Sequence, residues 1–383
     1  MPASLKEYFL VDPTVHFLNH GSFGACPRPV FEDYQRWQME LERQPVEFLG
    51  RRVTGLLAEA RAQLAQYVGC AADDLVYFPN PTSAINVVAR SLDLQPGDEV
   101  LTTDHEYGAM DRTWRFLCAK RGARYVQHSF PLPMTTPEEF VENFWSGVTD
   151  RTRMIFISQI TSATALIFPV EAICKRARER GLLTIVDGAH VPGHLPLNLA
   201  ELGADFYTGA CHKWLCAPKG SSFLYVRREV QPRLEPLVVS WGWESEQPSA
   251  SPFVDQQEWQ GTRDVAAFLA TPAAIRFQAQ HQWTAVRAHC FALTGETRAR
   301  VNAITGLAPI APENWLGQMA TVALPEMDIQ KLKTDLYERY RVELPVFKWN
   351  GQPLLRFSFQ GYNTRADADA LVTGLGELLK AAL

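Results

Sequence analysis

LLTIVDGAHVPGHLPLNLAELGADFYTGACHKW, residues 182–214, places two charged residues at the ends of two apolar runs. Residues 182–186 are apolar and β-branched, bounded by Gly181 and by a turn at Gly188, the pattern of a buried parallel strand. Asp187 stands at its carboxyl edge. Residues 205–208 read as a second short strand that delivers His212 and Lys213 to the same rim. In open α/β sheets the ligand crevice lies outside those carboxyl ends, so a carboxylate and an amine held there face a ligand.

Upstream, strands and helices alternate. LVYFPN reads as a strand, SAINVVARSL a helix, EVLTTD a strand, AMDRTWRFLCAKRG a helix, ARYVQHSF a strand, TPEEFVENFWSGV a helix, RMIFISQI a strand and PVEAICKRARERG a helix. Such alternation implies a mainly parallel sheet with helices on both faces. Two helices precede it, one opened by Pro27 and Pro29 and reaching Arg52, the other ending at Gly69. SWGWESEQPSASPFVDQQEWQGTRD has no clear periodicity and reads as a long loop; from Val265 the pattern turns to helices and a few strands. The expected division is an N-terminal arm over 1–20, a large α/β domain over 21–264 and a smaller C-terminal α+β domain over 265–383.

The 383 residues are 46% hydrophobic and 21% charged, enough to bury a large core. A net charge of -5, with Lys and Arg scattered, gives no nucleic-acid footprint. No basic-then-apolar leader and no membrane-spanning run is visible, so the expectation is a cytoplasmic protein with neither membrane nor nucleic acid as partner. The seven cysteines lack Cys-x-x-Cys spacing and read as buried thiols, with no metal site expected.

A lysine can form a Schiff base with an aldehyde, and a buried carboxylate can keep a pyridine nitrogen protonated. Lys213 and Asp187 in this order therefore describe a site for pyridoxal 5'-phosphate. Alone, Asp187 reads equally as a helix cap and Lys213 as a surface charge. In FPNPTSAIN, Thr82 and Ser83 open a helix whose first N–H groups and hydroxyls can cradle a phosphate, or simply cap the helix. VLTTDHEYGAM carries Tyr107 to the rim, where an aromatic ring can stack on a flat cofactor.

The chain resembles the fold-type I pyridoxal phosphate enzymes of the class V aminotransferase group, and within them the isopenicillin N epimerase-like branch. The resemblance runs nearly end to end and is carried by LNHGSFGACPRPV, NPTSAIN, DHEYGAMDRTW, ITSATALIFPV, VDGAHVPGHLPL, CHKWLCAPKGSSFLYV, WQGTRD and LRFSFQGYNT. It implies that Lys213 binds the cofactor aldehyde, Asp187 partners the pyridine nitrogen, Tyr107 stacks on the ring and His190 flanks it. Thr82, Ser83 and His212 would take the phosphate, and Ser162 falls in the loop near the 3'-oxygen. Thr262 would reach the phosphate from a neighbouring subunit, which implies a homodimer with a shared active site. Arg356 matches the arginine that grips the substrate carboxylate, a task suited to the planar guanidinium. Asn19 and His20 would approach the substrate from the arm, where Gly21 and Gly24 permit a tight turn. Arg51 and Arg52 could meet a second acidic group, or form a solvated helix end. Gln159 stands where related desulfurases carry His, and Ala165 where Gly is common.

The fate of a carbanion at Cα decides the reaction. The stretch before Arg356, RYRVELPVFKWNGQPLLR, has no Cys, which leaves no thiol to accept sulfur in a desulfurase reaction. Epimerisation or racemisation would need a second acid such as Tyr107, His20 or water. The alternatives are a C–S β-lyase of the cysteine, cystine or cysteine-sulfoxide type, and an aminotransferase. A non-catalytic module of the same fold is disfavoured by the presence of both Lys213 and Arg356. A nicotinamide dehydrogenase lacks its Gly-x-Gly-x-x-Gly.

Overall fold

The computed structural model describes residues 4–382; residues 1–3 and 383, the outer ends of the arm and of the C-terminal segment, lie outside the described residues. The arm supplies β1 (His16–Phe17). The seven-stranded sheet is built from β2 (Leu75–Phe78), β3 (Glu99–Thr103), β4 (Arg124–His128), β5 (Thr152–Ser158), β6 (Leu183–Asp187), β7 (Phe206–Ala210) and β8 (Ser222–Val226). Its order is β2-β8-β7-β6-β5-β3-β4, and only β8 runs antiparallel to its neighbours. The mainly parallel sheet covered by helices is thus the one its alternating pattern implies.

Both faces of the sheet are buried except at the edge strand β4, as a mainly parallel sheet requires. In β5, Ile155 and Ile157 pack into one core, while Met154 and Phe156 pack into the other with Trp114, Ile185 and Phe206. This explains why these strands read as continuous apolar runs. The strand β8 escaped the pattern because SFLYV follows β7 through a turn, with no helix between them to mark a crossover.

A smaller antiparallel sheet, order β11-β12-β9, comprises β9 (Met319–Ala323), β11 (Val346–Trp349) and β12 (Gln352–Ser358). A two-residue strand, β10 (Val342–Glu343), pairs in parallel with β1, His16 facing Val342. The arm is thereby tied to the C-terminal part of the chain. Helices Ala266–Leu269 and Thr271–Gln280 pack on the helices Arg28–Arg43 and Val53–Val68, whereas Trp283–Thr305 packs on β9 and on the terminal helix Arg365–Ala382.

Two local differences from the sequence pattern have simple causes. The helix expected to run to Arg52 breaks at Gln44 (φ -152°, ψ 77°), because Pro45 disfavours a helical residue before it and restarts the chain at N1. Within the loop-like Trp/Ser/Pro/Gln stretch, Pro252–Glu258 is helical, capped by Ser251 accepting from Val254 N–H. Seven residues are too few for a 3.6-residue period to declare itself.

Candidate active site

Five strand ends meet at one rim. Ser158 ends β5 and Asp187 ends β6, paired in register; Asp187 in turn faces Thr208 of β7. After β2 come Asn80 and Thr82, after β3 comes Tyr107, and after β7 come His212 and Lys213. All of these but Thr208 line a single cavity of about 190 Å³, together with Ser162, His190 and, from the arm, Ser22 and Phe23. Two glycines permit the closeness. A Cβ at Gly188 would fall 2.0 Å from the Tyr207 hydroxyl, and one at Gly24 (φ +71°) would fall 2.0 Å from the His212 carbonyl oxygen.

The Lys213 amine lies 3.2 Å from His190 Nε2. Burial pushes its pKa down to about 8, opposed by the Asp187 charge and reinforced by Arg356. Asp187 is buried; one carboxylate oxygen accepts the Ala189 N–H at 2.9 Å, and burial raises its pKa despite that bond and the charge of Lys213. His190 is buried, accepts the Trp214 indole N–H on Nδ1 at 3.2 Å, and is driven well below its ordinary pKa by burial and the charges of Lys213 and Arg356. His212 contacts the Ser221 carbonyl through Nδ1 at 3.0 Å, and burial lowers its pKa to about 4.

At the entrance to helix Pro81–Ser91, the Asn80 side chain accepts the Ser83 N–H at 2.9 Å. The cap consumes that donor. Thr82 faces the cavity, and among the described residues its hydroxyl has no hydrogen-bond partner; Ser83 does not line the cavity. Tyr107 lines it and remains 48% exposed, so its ring is open to an entering molecule.

An adjoining cleft shares Tyr107 and Ser162 with the cavity and is closed by Pro345, Phe347 and Arg356 of the small sheet region. Arg356, on β12, donates to the Ser162 carbonyl and, at 2.9 Å, to Ser22 Oγ. It is 7% exposed, its pKa falls to about 10 through burial, and among the described residues no carboxylate forms an ion pair with it. A buried guanidinium without a counter-ion is costly unless a ligand supplies one.

The remaining residues singled out in the sequence lie elsewhere. His20 is buried and does not line the cavity, with Nδ1 3.0 Å from the Tyr362 hydroxyl and Nε2 3.0 Å from the Lys213 carbonyl; burial lowers its pKa to about 3. Asn19 precedes the short helix His20–Phe23, where its side chain accepts from Ser22 Oγ and donates to Glu343. Neither lines the cavity, although Asn19 orients Ser22, which does. Thr262 sits on a different groove, near Trp241, which is 85% exposed. Arg52 pairs with Glu40 at 3.0 Å, and both Arg51 and Arg52 are exposed and away from the cavity. Gln159 is held by the Tyr207 hydroxyl at 2.7 Å. Ala165 takes φ +58°, the left-handed region that suits the glycine common at this point. None of the seven cysteines lines the cavity.

Glu106, next to Tyr107, carries no signature in the sequence pattern. It is buried between β3 and β5, accepting from Thr103 Oγ1 at 2.7 Å and from Ser158 N–H at 3.0 Å and Oγ at 2.6 Å. Burial and the neighbouring Asp187 and Asp111 charges outweigh those bonds and raise its pKa from 4.5 to about 8. The folded chain therefore keeps a proton that an unfolded glutamate releases: the stabilising contribution is full below pH 4.5 and is lost as pH rises to about 8. Glu106→Gln is expected to flatten the decline of the thermal midpoint across that window; an unchanged slope in paired melts would contradict it.

Seven strands in this order, with a smaller antiparallel sheet beside them, make a fold shared with solved enzymes. The apo cysteine desulfurase of Thermococcus onnurineus NA1 superposes with a TM-score of 0.85, at 19% identity and covering 98% of each chain. The chain belongs to the class V aminotransferase family, whose model matches residues 26–371. It is 37% identical to the isopenicillin N epimerase of Amycolatopsis lactamdurans over 99% of this chain and 98% of that protein. Against the isopenicillin N epimerase of Streptomyces clavuligerus it is again 37% identical, over 96% of each.

Proposed function

We propose that the chain is a pyridoxal 5'-phosphate enzyme that removes and returns the proton at Cα of an amino acid, with epimerisation as the outcome. The observation that carries this reading is the meeting of Lys213 and buried Asp187 in one cavity with Arg356, unpaired among the described residues, in the cleft that adjoins it. Likeness to the two isopenicillin N epimerases supports the choice among reactions.

The donors present suit the cofactor. Lys213 would hold its aldehyde carbon and Asp187, with one oxygen uncommitted to the backbone, its pyridine nitrogen. Thr82, the first turn of helix Pro81–Ser91 and His212 would hold the phosphate, where the helix N-terminus favours an anion. Tyr107, His190 and Ser162 would flank the ring. Bound there, the cofactor supplies an electron sink for a carbanion at Cα.

The chain's own groups do the rest. Arg356 fixes the substrate carboxylate by paired hydrogen bonds, and Ser22 and the Ser162 carbonyl hold the guanidinium in place. Lys213, with its pKa near 8, exchanges a proton with Cα close to neutral pH. Inversion requires a second acid on the other side. Tyr107 fills that role in this reading, since His20 does not line the cavity and is engaged by Tyr362 and the Lys213 carbonyl.

The reading includes a cytoplasmic homodimer. Thr262 is exposed and remote from this chain's own cavity, as a residue serving a second copy's phosphate site would be. Thr262→Ala is then expected to weaken cofactor retention several-fold while leaving the monomer fold intact. Normal retention on dialysis would remove the shared site.

Proton NMR in deuterated water tests the reaction, using the cofactor-loaded protein with isopenicillin N and a panel including cysteine, cystine and S-substituted cysteines. Loss of the α-proton signal with an intact substrate, and appearance of the epimer on chiral chromatography, is expected. A keto acid with a released thiol or sulfide would replace epimerisation by β-elimination.

A further inference from the structure

The hydrogen bonds behind Lys213 fix where a proton must sit. An indole N–H can only donate, so His190 Nδ1, 3.2 Å from Trp214 Nε1, is the acceptor and carries no hydrogen. Burial above all, with the Arg356 charge, holds His190 neutral. A neutral imidazole bears one proton, which is then on Nε2, 3.2 Å from Lys213 Nζ. That contact is a hydrogen bond only when Nζ accepts. An ammonium there would set N–H against N–H.

Trp214 is itself held rigidly. It is fully buried, its ring 4.1 Å from the His194 ring and 5.1 Å from the His20 ring. His194 donates from Nδ1 to the His190 carbonyl at 3.1 Å and accepts the Gln318 N–H on Nε2 at 2.6 Å. His20 is fixed by Tyr362 and the Lys213 carbonyl. The indole has no other acceptor to turn to among its hydrogen bonds.

We propose that Trp214 is a positioning residue: its indole N–H locks His190 in the Nε2–H tautomer, which presents a donor to Lys213 and favours the free-amine form of that lysine. The inference rests on reading Lys213 as the amine that takes the cofactor and the Cα proton. Of the other charges facing Lys213, Asp187 opposes this effect and Arg356 assists it. Trp214 adds a directional hydrogen-bond constraint to burial, so its removal should alter both tautomer and amine reactivity.

The test uses the full chain with ¹⁵N-labelled histidine, with cofactor and after its removal. Two-bond proton–nitrogen correlations, assigned through His190→Gln, are expected to show His190 bare at Nδ1 and protonated at Nε2. In Trp214→Phe, a mixture of tautomers is expected, and reductive methylation of Lys213 by formaldehyde at neutral pH should slow by roughly tenfold, the effect of one pKa unit. A proton on Nδ1 of the wild-type protein would overturn the proposal, and this measurement stands even if the variant fails to fold. An unchanged methylation rate in folded Trp214→Phe would also overturn it. The expected tautomer with no cofactor on Lys213 after borohydride treatment would defeat the functional reading instead.

Discussion

Replacing Lys213 with alanine is expected to abolish the visible absorption of lysine-bound cofactor and to lower turnover by at least roughly 10³-fold, since one side chain both captures the aldehyde and moves the Cα proton. No other lysine lines the cavity to substitute for it. Retained cofactor in the variant would be bound through Asp187 and the phosphate contacts alone, without a covalent link. Spectra and single-turnover rates for the wild type and variant decide the matter, and an unchanged spectrum would reject the assignment. Loss of secondary structure is not expected, because Lys213 contributes its side chain to the cavity rather than to either core.

Arg356→Ala should separate substrate binding from cofactor binding. Two charge-assisted hydrogen bonds to a carboxylate are worth several kcal/mol, so kcat/KM for amino acids should fall by about 10²–10³-fold. Most of the loss should appear in KM, with cofactor retention nearly unchanged. The wild-type guanidinium already has its two anchors, Ser162 and Ser22, and no anionic partner among the described residues. Amides of the same amino acids should be much less sensitive to the substitution. Equal sensitivity of acid and amide, measured by steady-state kinetics, would mean that Arg356 supports the loop at Ser162 rather than gripping substrate.

The portion of the site that was readable in the sequence is the portion built by strand ends. An apolar run followed by Asp187, a short strand followed by His212 and Lys213, and a helix opened at Thr82 all follow from local pattern. Parallel topology then brings them to one rim. Ser22 and Phe23 were not readable, because their place depends on β1 pairing with β10 from the far end of the chain. His20 shows the same limit from the other side. A polar residue beside a flexible glycine turn resembles a substrate contact, yet the return of Tyr362 and Gln360 buries it in hydrogen bonds. Glu106 was concealed by its neighbour Tyr107, whose aromatic ring offered an obvious task. The buried carboxylate between two strands has no signature in one dimension. Arg356 was legible through family resemblance alone, since nothing in the local pattern of β12 distinguishes it from a strand arginine paired to a surface acid.

Lys213 is the lysine expected to carry the cofactor. Borohydride reduction of the holoenzyme followed by peptide mass mapping tests it directly. A single pyridoxyl group on the peptide containing Lys213 is the expected result. The same group on another lysine, or none on any, would contradict the reading of this site.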